Sequence, residues 1–205
     1  MNSMVLRSAL TAAALAATVG LTACGDKATT ATPSAAPTSA TAAAAAATFN
    51  DADVHFATDM IPHHRQAVTM ADHAAGRAGS AQVKQLAAAI KGAQGPEIQK
   101  MSAWLAAWGR PAPSAAPSTG HGMPGMGTMP GMMSDADLAK LMAAKGAVFD
   151  RMFLTMMIRH HEGAVTMATD EQAKGSNPDA RQLAGQIISA QTAEITRMKQ
   201  MLAAL

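Results

Sequence analysis

The feature that most constrains the fold of this chain is an internal duplication. When the sequence is shifted by 97 positions, two blocks of residues align with themselves without a gap. The matched pairs include Asp53 with Asp150, Phe56 with Phe153, Met60-Ile61 with Met157-Ile158, His63-His64 with His160-His161, and Glu97-Ile98 with Glu194-Ile195. Each repeat is therefore expected to form the same unit, and the two units are expected to bury a common core.

Both repeats carry the apolar spacing of helices in a bundle. Core-type residues recur at offsets of 0, 3, 7, 10, 14 and 17 from Asp53, and the same spacing begins again at Asp150. Signals for helix starts and ends surround these runs, at Asn50 with Asp53, Gly79-Ser80, Gly109, Gly175-Ser176 and Asn177-Pro178. The pattern predicts an all-α fold, a ferritin-like four-helix up-down bundle built from two duplicated helical hairpins.

We expect an up-down-up-down order, in which the first helices of the two hairpins run parallel and lie diagonally opposite each other. Hairpin 1 is predicted to cover residues 50–109 and hairpin 2 residues 134–205. Pro62 and Gly95-Pro96 fall inside the helices of hairpin 1, where proline removes a backbone hydrogen bond. Kinks are therefore predicted in the first hairpin alone.

A Met-rich loop, residues 110–133, joins the two hairpins. Its glycines and prolines exclude regular helix or strand, so its methionines at 123–133 are expected to stay outside the core. Such exposed thioethers suit a mobile copper-gathering arm, and the alternative is a low-complexity linker that happens to contain methionine. Ser134 with Asp137 then predicts a capped short extra helix, which ends near Gly146 before the third helix of the bundle.

The N-terminus has the pattern of an export signal. Arg7 precedes a short apolar run that ends in small residues before Cys24, the only cysteine of the chain. We interpret residues 1–23 as a lipoprotein signal peptide, Cys24 as the lipidated first residue, residues 24–48 as a disordered tether and residues 49–205 as the bundle domain. The mature protein is then lipid-anchored at the membrane, facing the periplasm or cell exterior. A simple secretory peptide cleaved elsewhere is the alternative.

The predicted hairpins bring the duplicated histidines to one level of the bundle. Folding back at the turns places His63 near Gln94 and Glu97, and the second repeat reproduces this layer around His160. Methionines lie one helical turn away from these histidines. The candidate metal ligands are His63, His64, His160, His161, Met60 and Met157.

Several assignments within this layer stay open. The seam methionines could simply fill the core, and a buried histidine could be a hydrogen-bonded structural residue. His64 and His161 could complete the site, form a second one or be solvated, and Glu97 and Glu194 could be ligands or outer partners. Because neutral imidazole is the form that binds metal, affinity is expected to fall as the pH drops through about 6.5.

The ligand types select the metal. Thioether with imidazole favours copper, as Cu(I) and/or Cu(II), over magnesium or calcium. A di-iron bundle would need Glu-x-x-His motifs, which do not occur in this sequence. A net charge of +2 with 3% aromatic residues offers no surface for nucleic acid, so copper ions and a membrane are the expected partners.

The residues carrying this pattern resemble a known family. The stretch from Phe153 to Ala168, its echo Met60-Ile61-Pro62-His63-His64, the Met-Pro-Gly-Met-Met loop and the Trp104–Gly109 ending are similar to the exported, ferritin-like domain-of-unknown-function 305 family of CopM-like proteins. The resemblance covers about residues 49–205. It implies an extracytoplasmic helical bundle that binds copper and protects against it.

The function predicted from the sequence is an extracytoplasmic copper-binding protein that sequesters or transfers copper for resistance or homeostasis. We expect it not to be an enzyme, because no nucleophile-and-base constellation or phosphate loop can be read from the sequence. Two alternatives remain. One is a copper-dependent redox enzyme such as a cuprous oxidase, and the other is a metal-free helical interaction module.

Overall fold

The computed structural model describes residues 48–113 and 129–205. These ranges contain the helices α1 (Asp51–Arg77), α2 (Ala81–Ala107), α3 (Asp135–Ala143), α4 (Gly146–Lys174) and α5 (Pro178–Ala203). Within these two ranges no strand occurs, and no helix is both long and apolar enough to span a membrane. The predicted signal peptide, the lipidation of Cys24, nearly all of the tether and the middle of the Met-rich loop lie outside the described residues.

The helix boundaries follow from capping residues that are visible in the sequence. Asn50 caps α1 in a reciprocal capping box with Asp53, and Ser134 caps the short helix α3. Asn177 caps α5, with Pro178 in its first turn. Both Pro62 and Pro96 lie inside uninterrupted helices, so the chain stays helical through them.

The all-α four-helix bundle made of two hairpins is confirmed. Helices α1 and α2 form the first hairpin and α4 and α5 the second, and the hairpins meet mainly along α1 and α4. Helix α2 returns to the beginning of α1, where the rings of Phe49 and Trp108 stack with centroids 4.9 Å apart. The short helix α3 packs against α1 and α4.

The predicted relative direction of the hairpins is wrong. The Asp53 carboxylate, at the start of α1, accepts hydrogen bonds from the backbone N–H groups of Ser176 and Asn177 beyond the end of α4. At the opposite end, Asp150 at the start of α4 accepts from Gly79 and Ser80 beyond the end of α1. Helices α1 and α4 are therefore antiparallel, and the end of α2 and the start of α4 lie at opposite ends of the bundle, as in ferritin-like folds.

Two apolar clusters fill the bundle, one on each side of its middle. One combines the end of α1 with the start of α4 and contains Met70, Phe153 and Met157. The other combines the start of α1 with the end of α4 and contains Phe56 and Met60. Equivalent residues of the two repeats thus occupy opposite halves of the core, and the duplicated histidines lie between them.

One prediction about the Met-rich loop is also wrong. Met133 is only 4% exposed and packs in the same cluster as Phe153 and Met157. Its backbone exchanges two hydrogen bonds with the side-chain amide of Gln66, at 3.0 Å and 2.7 Å. The last residue of the loop is therefore a core residue, because a side chain on α1 satisfies the backbone groups that glycine and proline leave without helical partners.

Candidate metal centre

The duplicated histidines form one buried layer in the middle of the bundle. The side chains of His63, His64, His160 and His161 are all 0% exposed. His63 on α1 faces His160 on α4 with ring centroids 3.8 Å apart and an interplanar angle of 37°. The structure thus brings these two imidazoles together as the fold-back argument predicted, although antiparallel helices rather than parallel ones do so.

His64 and His161 are each held by a carboxylate on the neighbouring helix. The distance from His64 Nε2 to Glu97 Oε2 is 2.7 Å, and that from His161 Nε2 to Glu194 Oε2 is also 2.7 Å. Because both rings are buried, the alternative that they are solvated is wrong. A carboxylate that accepts the Nε2 proton leaves Nδ1 of the neutral ring as the nitrogen with the free lone pair.

His63 receives a comparable partner from the loop between the hairpins. Its Nε2 lies 3.0 Å from the carbonyl oxygen of Pro130, which can only accept a hydrogen bond. Nε2 therefore carries the proton and Nδ1 carries the lone pair. His160 differs, because neither of its buried nitrogens has a hydrogen-bond partner within residues 48–113 and 129–205.

The layer contains a set of buried nitrogens that form no hydrogen bond with any residue that the structure describes. They are Nδ1 of His63, His64 and His161, and Nδ1 and Nε2 of His160. An unpartnered buried polar atom costs roughly 1–3 kcal/mol, so repeated occurrences in one layer call for an explanation. A metal ion accepts lone pairs of this kind, so the donor set fits a metal-binding role.

Burial also keeps the two facing imidazoles neutral. The pKa of His63 is lowered to about 3, mainly by removal from water and in the same direction by nearby histidines. The hydrogen bond to Pro130 opposes this shift. Burial likewise lowers the pKa of His160 well below its usual range. For these two residues the expected loss of ligation near pH 6.5 does not apply, because their lone pairs stay available to much lower pH.

The predicted thioether ligands lie on both sides of this layer. Met60 and Met157 are 0% exposed and belong to the two separate apolar clusters, one helical turn from His63 and His160. Gln94 and Gln191 are also buried, and their Oε1 atoms have no hydrogen-bond partner. Within residues 48–113 and 129–205, no three His, Cys, Asp or Glu side chains converge in a metal-holding group. A site built here would thus combine imidazoles with sulfur or amide donors.

The chain is similar in sequence to a known protein family. Residues 53–202 match the family model DUF305, a domain of unknown function. The chain belongs to this family. No curated protein sequence matches it significantly.

Solved structures of related proteins share the fold. A DUF305 protein of Streptomyces coelicolor designated as secreted is 35% identical, with 75% of this chain and 93% of that chain covered and a TM-score of 0.67. A DUF305 fragment from Deinococcus radiodurans is 33% identical over 76% of this chain and 98% of its own, also with a TM-score of 0.67. CopM in a Cu(II)-bound form is 36% identical over 74% of this chain and 96% of its own, with a TM-score of 0.63, and CopM has also been solved with Cu(I) and with silver.

Sequence reasoning missed the contribution of the loop to this layer. Pro130 was part of a segment expected to lie away from the core, yet its carbonyl oxygen contacts His63. A signal was present in Gly163, a glycine in the interior of α4 directly after the second histidine pair. An isolated glycine inside a helix often marks close approach of another backbone.

Proposed function

We propose that this DUF305 protein binds copper at its buried histidine layer and sequesters or transfers it outside the cytoplasm. The observation that carries the proposal is the set of four buried imidazoles whose Nδ1 atoms have no hydrogen-bond partner in the described part of the chain. Burial lowers the pKa of His63 and of His160, so these two imidazoles are ready to bind a metal without first losing a proton.

The sulfur atoms beside the layer support copper over harder metals. Met60 and Met157 enclose the histidines from opposite halves of the core, and both are fully buried. Thioether and imidazole donors select Cu(I) over magnesium or calcium. The Cu(I) and silver complexes of the related CopM support the same preference for soft cations, and its Cu(II) complex supports copper as the metal.

The outer carboxylates support ligation by His64 and His161 as well. A metal-binding histidine usually donates its second ring N–H to a carboxylate or carbonyl, which fixes the tautomer and strengthens the ligand. Glu97 and Glu194 accept such bonds at 2.7 Å in equivalent positions of the two repeats. We therefore assign both glutamates as outer partners. His63 and His160, whose rings face each other, are the candidate ligands of one shared ion, and His64, His161, Met60 and Met157 are further candidate ligands around it.

Export and anchoring complete the proposal. The apolar run and the small residues before Cys24 favour a lipoprotein signal, and the secreted relative from Streptomyces coelicolor supports an extracytoplasmic location. A lipid on Cys24 would hold the bundle at the membrane. In this location the protein acts as a copper carrier or store and not as an enzyme.

Metal analysis and a competition titration with a Cu(I) chelator test the copper site. We expect the purified protein to bind Cu(I), and His63→Ala or His160→Ala to abolish the tightest site. Because ligands of one shared ion act as a unit, the double variant should lose little more affinity than either single variant. His55→Ala is a matched control, since His55 is exposed on the same helix as His63.

Each outcome of this titration has a defined meaning. Unchanged copper binding in both single variants, with circular dichroism showing a folded bundle, would contradict the ligand assignment. Additive losses of half the copper would replace the shared site with two independent ones. Oxygen-dependent turnover of Cu(I) above a free-copper blank would favour a cuprous oxidase over a carrier.

A further inference from the structure

The end of the inter-hairpin loop lies directly over the histidine layer. Residues 129–133, here termed the strap, contact the layer through the Pro130 carbonyl oxygen, 3.0 Å from His63 Nε2. Gln66 on α1 binds the backbone N–H and carbonyl of Met133. Arg159 on α4 adds a contact from its Nη2 to Met133 Sδ at 3.2 Å. Both hairpins therefore hold the strap in place.

The strap fits against α4 because two glycines allow backbone to approach backbone. A Cβ atom on Gly163 would lie 2.0 Å from the Pro130 carbonyl oxygen, and one on Gly131 would lie 2.5 Å from the Arg159 carbonyl oxygen. Gly131 also has a φ of +79°, which L-residues rarely adopt. Gly163 corresponds to Gln66 in the alignment of the repeats. Of these two equivalent positions, Gly163 makes room for the strap and Gln66 binds it through hydrogen bonds.

We propose that the strap is a positioning element of the copper centre, acting through the Pro130 carbonyl on His63. This inference rests on the copper-binding function proposed above. Since a carbonyl oxygen accepts but cannot donate, it holds His63 in the Nε2–H tautomer and leaves Nδ1 as the only nitrogen able to bind metal. Pro130 thus does for His63 what Glu97 and Glu194 do for His64 and His161.

The strap also makes the two repeats unequal. Duplication alone would give His63 and His160 the same surroundings. The Pro130 carbonyl contacts His63, whereas no described residue offers a hydrogen-bond partner to either nitrogen of His160. His63 is therefore the preorganised member of the pair. In His160 either ring nitrogen can carry the proton, and the other can bind the metal. A single loop passing one side of a pseudo-two-fold site cannot serve both halves.

Tautomer measurements on the metal-free protein test this role. Long-range ¹H–¹⁵N spectra should show His63 as the Nε2–H tautomer in the wild type. Gly163→Ala introduces a Cβ into the space of the Pro130 carbonyl, and Gln66→Ala removes the tie to Met133 without adding bulk. In both variants we expect His63 to become a mixture of tautomers and Cu(I) affinity to fall by about 10- to 100-fold.

Gly92→Ala is the matched control, because a Cβ there has nothing within 4 Å. It should leave both the tautomer and the affinity unchanged, which separates strap displacement from the better helix propensity of alanine. A His63 tautomer unchanged in both test variants would overturn the proposal, as would a lost tautomer with full copper affinity. If the wild type binds no copper, the proposed function fails, while the tautomer comparison alone still supports or overturns the hold of the strap on His63.

Discussion

Two buried carboxyl groups at one end of the bundle, those of Asp53 and Glu171, differ in the hydrogen bonds that their neighbours provide. Asp53 is 0% exposed, and although burial opposes it, backbone N–H groups of Asn50 and Asn177 lower the pKa of this carboxyl. Glu171 lies beside it and is 2% exposed, and within the described residues no N–H group donates a hydrogen bond to its carboxyl oxygens. The pKa of Glu171 is raised to about 8, mainly by burial. A hydrogen bond to Asp53 and the charge of Asp53 act in the same direction. The pair is therefore most stable with one proton, carried by Glu171 and donated to Asp53.

This carboxyl pair predicts a pH dependence of stability at one end of the bundle. A raised pKa in the folded state means that the favourable contribution of Glu171 is complete below about pH 4.3, the value for an exposed glutamate, and is lost as the pH rises towards 8. Glu171→Gln should remove this loss and be more stable than the wild type at pH 9 by roughly 1–3 kcal/mol. Urea unfolding at pH 5, 7 and 9 measures the difference.

The control for this prediction is Glu162→Gln, which changes a half-exposed glutamate paired with Lys199. It should leave the shape of the stability–pH curve unchanged. If Glu171→Gln and the wild type lose stability in parallel between pH 5 and 9, Glu171 is ionised in the folded state and the shared proton is absent.

At the scale of elements, a carboxylate of each hairpin binds the backbone of the turn in the other hairpin. Asp53 binds the backbone at the start of α5, and Asp150 binds the backbone at the start of α2. The first N–H groups of a helix have no partner within it and carry its positive dipole end, so a buried carboxylate is well placed there. The sequence predicted that Asp53 lies at the start of its own helix, but both carboxylates serve a helix of the opposite repeat through contacts that the sequence does not show.

Removing one of these clamps should destabilise the bundle. Asp150→Ala leaves the N–H groups of Gly79 and Ser80 without an acceptor, and hydrogen bonds to charged groups contribute about 1.5–3 kcal/mol. We expect a loss of that size in the free energy of unfolding measured with urea. The slope of that free energy against urea concentration should stay unchanged. Asp72→Ala, which removes an exposed carboxylate paired with Lys91, should cost less than about 0.5 kcal/mol. Equal effects of the two variants would exclude Asp150 as a clamp.

For the whole molecule, the decisive property is the antiparallel packing of α1 against α4. It places each half of one repeat against the opposite half of the other, so the pseudo-two-fold axis passes through the layer where His63 meets His160. Both rings can face a single central point only because the duplicated position lies near this axis. Parallel helices would bring the same histidines together around an axis along the bundle, with a different loop path.

Spin-label distances distinguish the two arrangements. Asp51, Val148 and Lys174 are exposed, near the start of α1, the start of α4 and the end of α4 respectively. A label pair at 51 and 174 should give a short distance, because Asn50 Nδ2 lies 2.8 Å from the Lys174 carbonyl oxygen. A pair at 51 and 148 should be about 40 Å apart, the length of α1 at 1.5 Å per residue. The reverse order of distances would restore the up-down-up-down bundle.

The sequence by itself determined the helices, the two hairpins and the membership of His63, His160, Met60 and Met157 in one central region. These properties follow from short-range information, namely capping residues, helical periodicity and a repeat that aligns without a gap. Even the Glu97 pairing with His64 was within reach, because helix rise and turn position together set which residues lie level.

Only the tertiary structure decided the direction of the second hairpin and the path of the strap. The connection of residues 108–145 is long enough to start α4 at either end of the bundle, so periodicity cannot select between them. The choice depends on distant contacts, Asp53 and Asp150 with the opposite turns, and Pro130 with His63. In each of these contacts a side chain meets a backbone group of a distant residue. Because every residue carries the same backbone groups, that partner leaves little trace in the pattern of side chains.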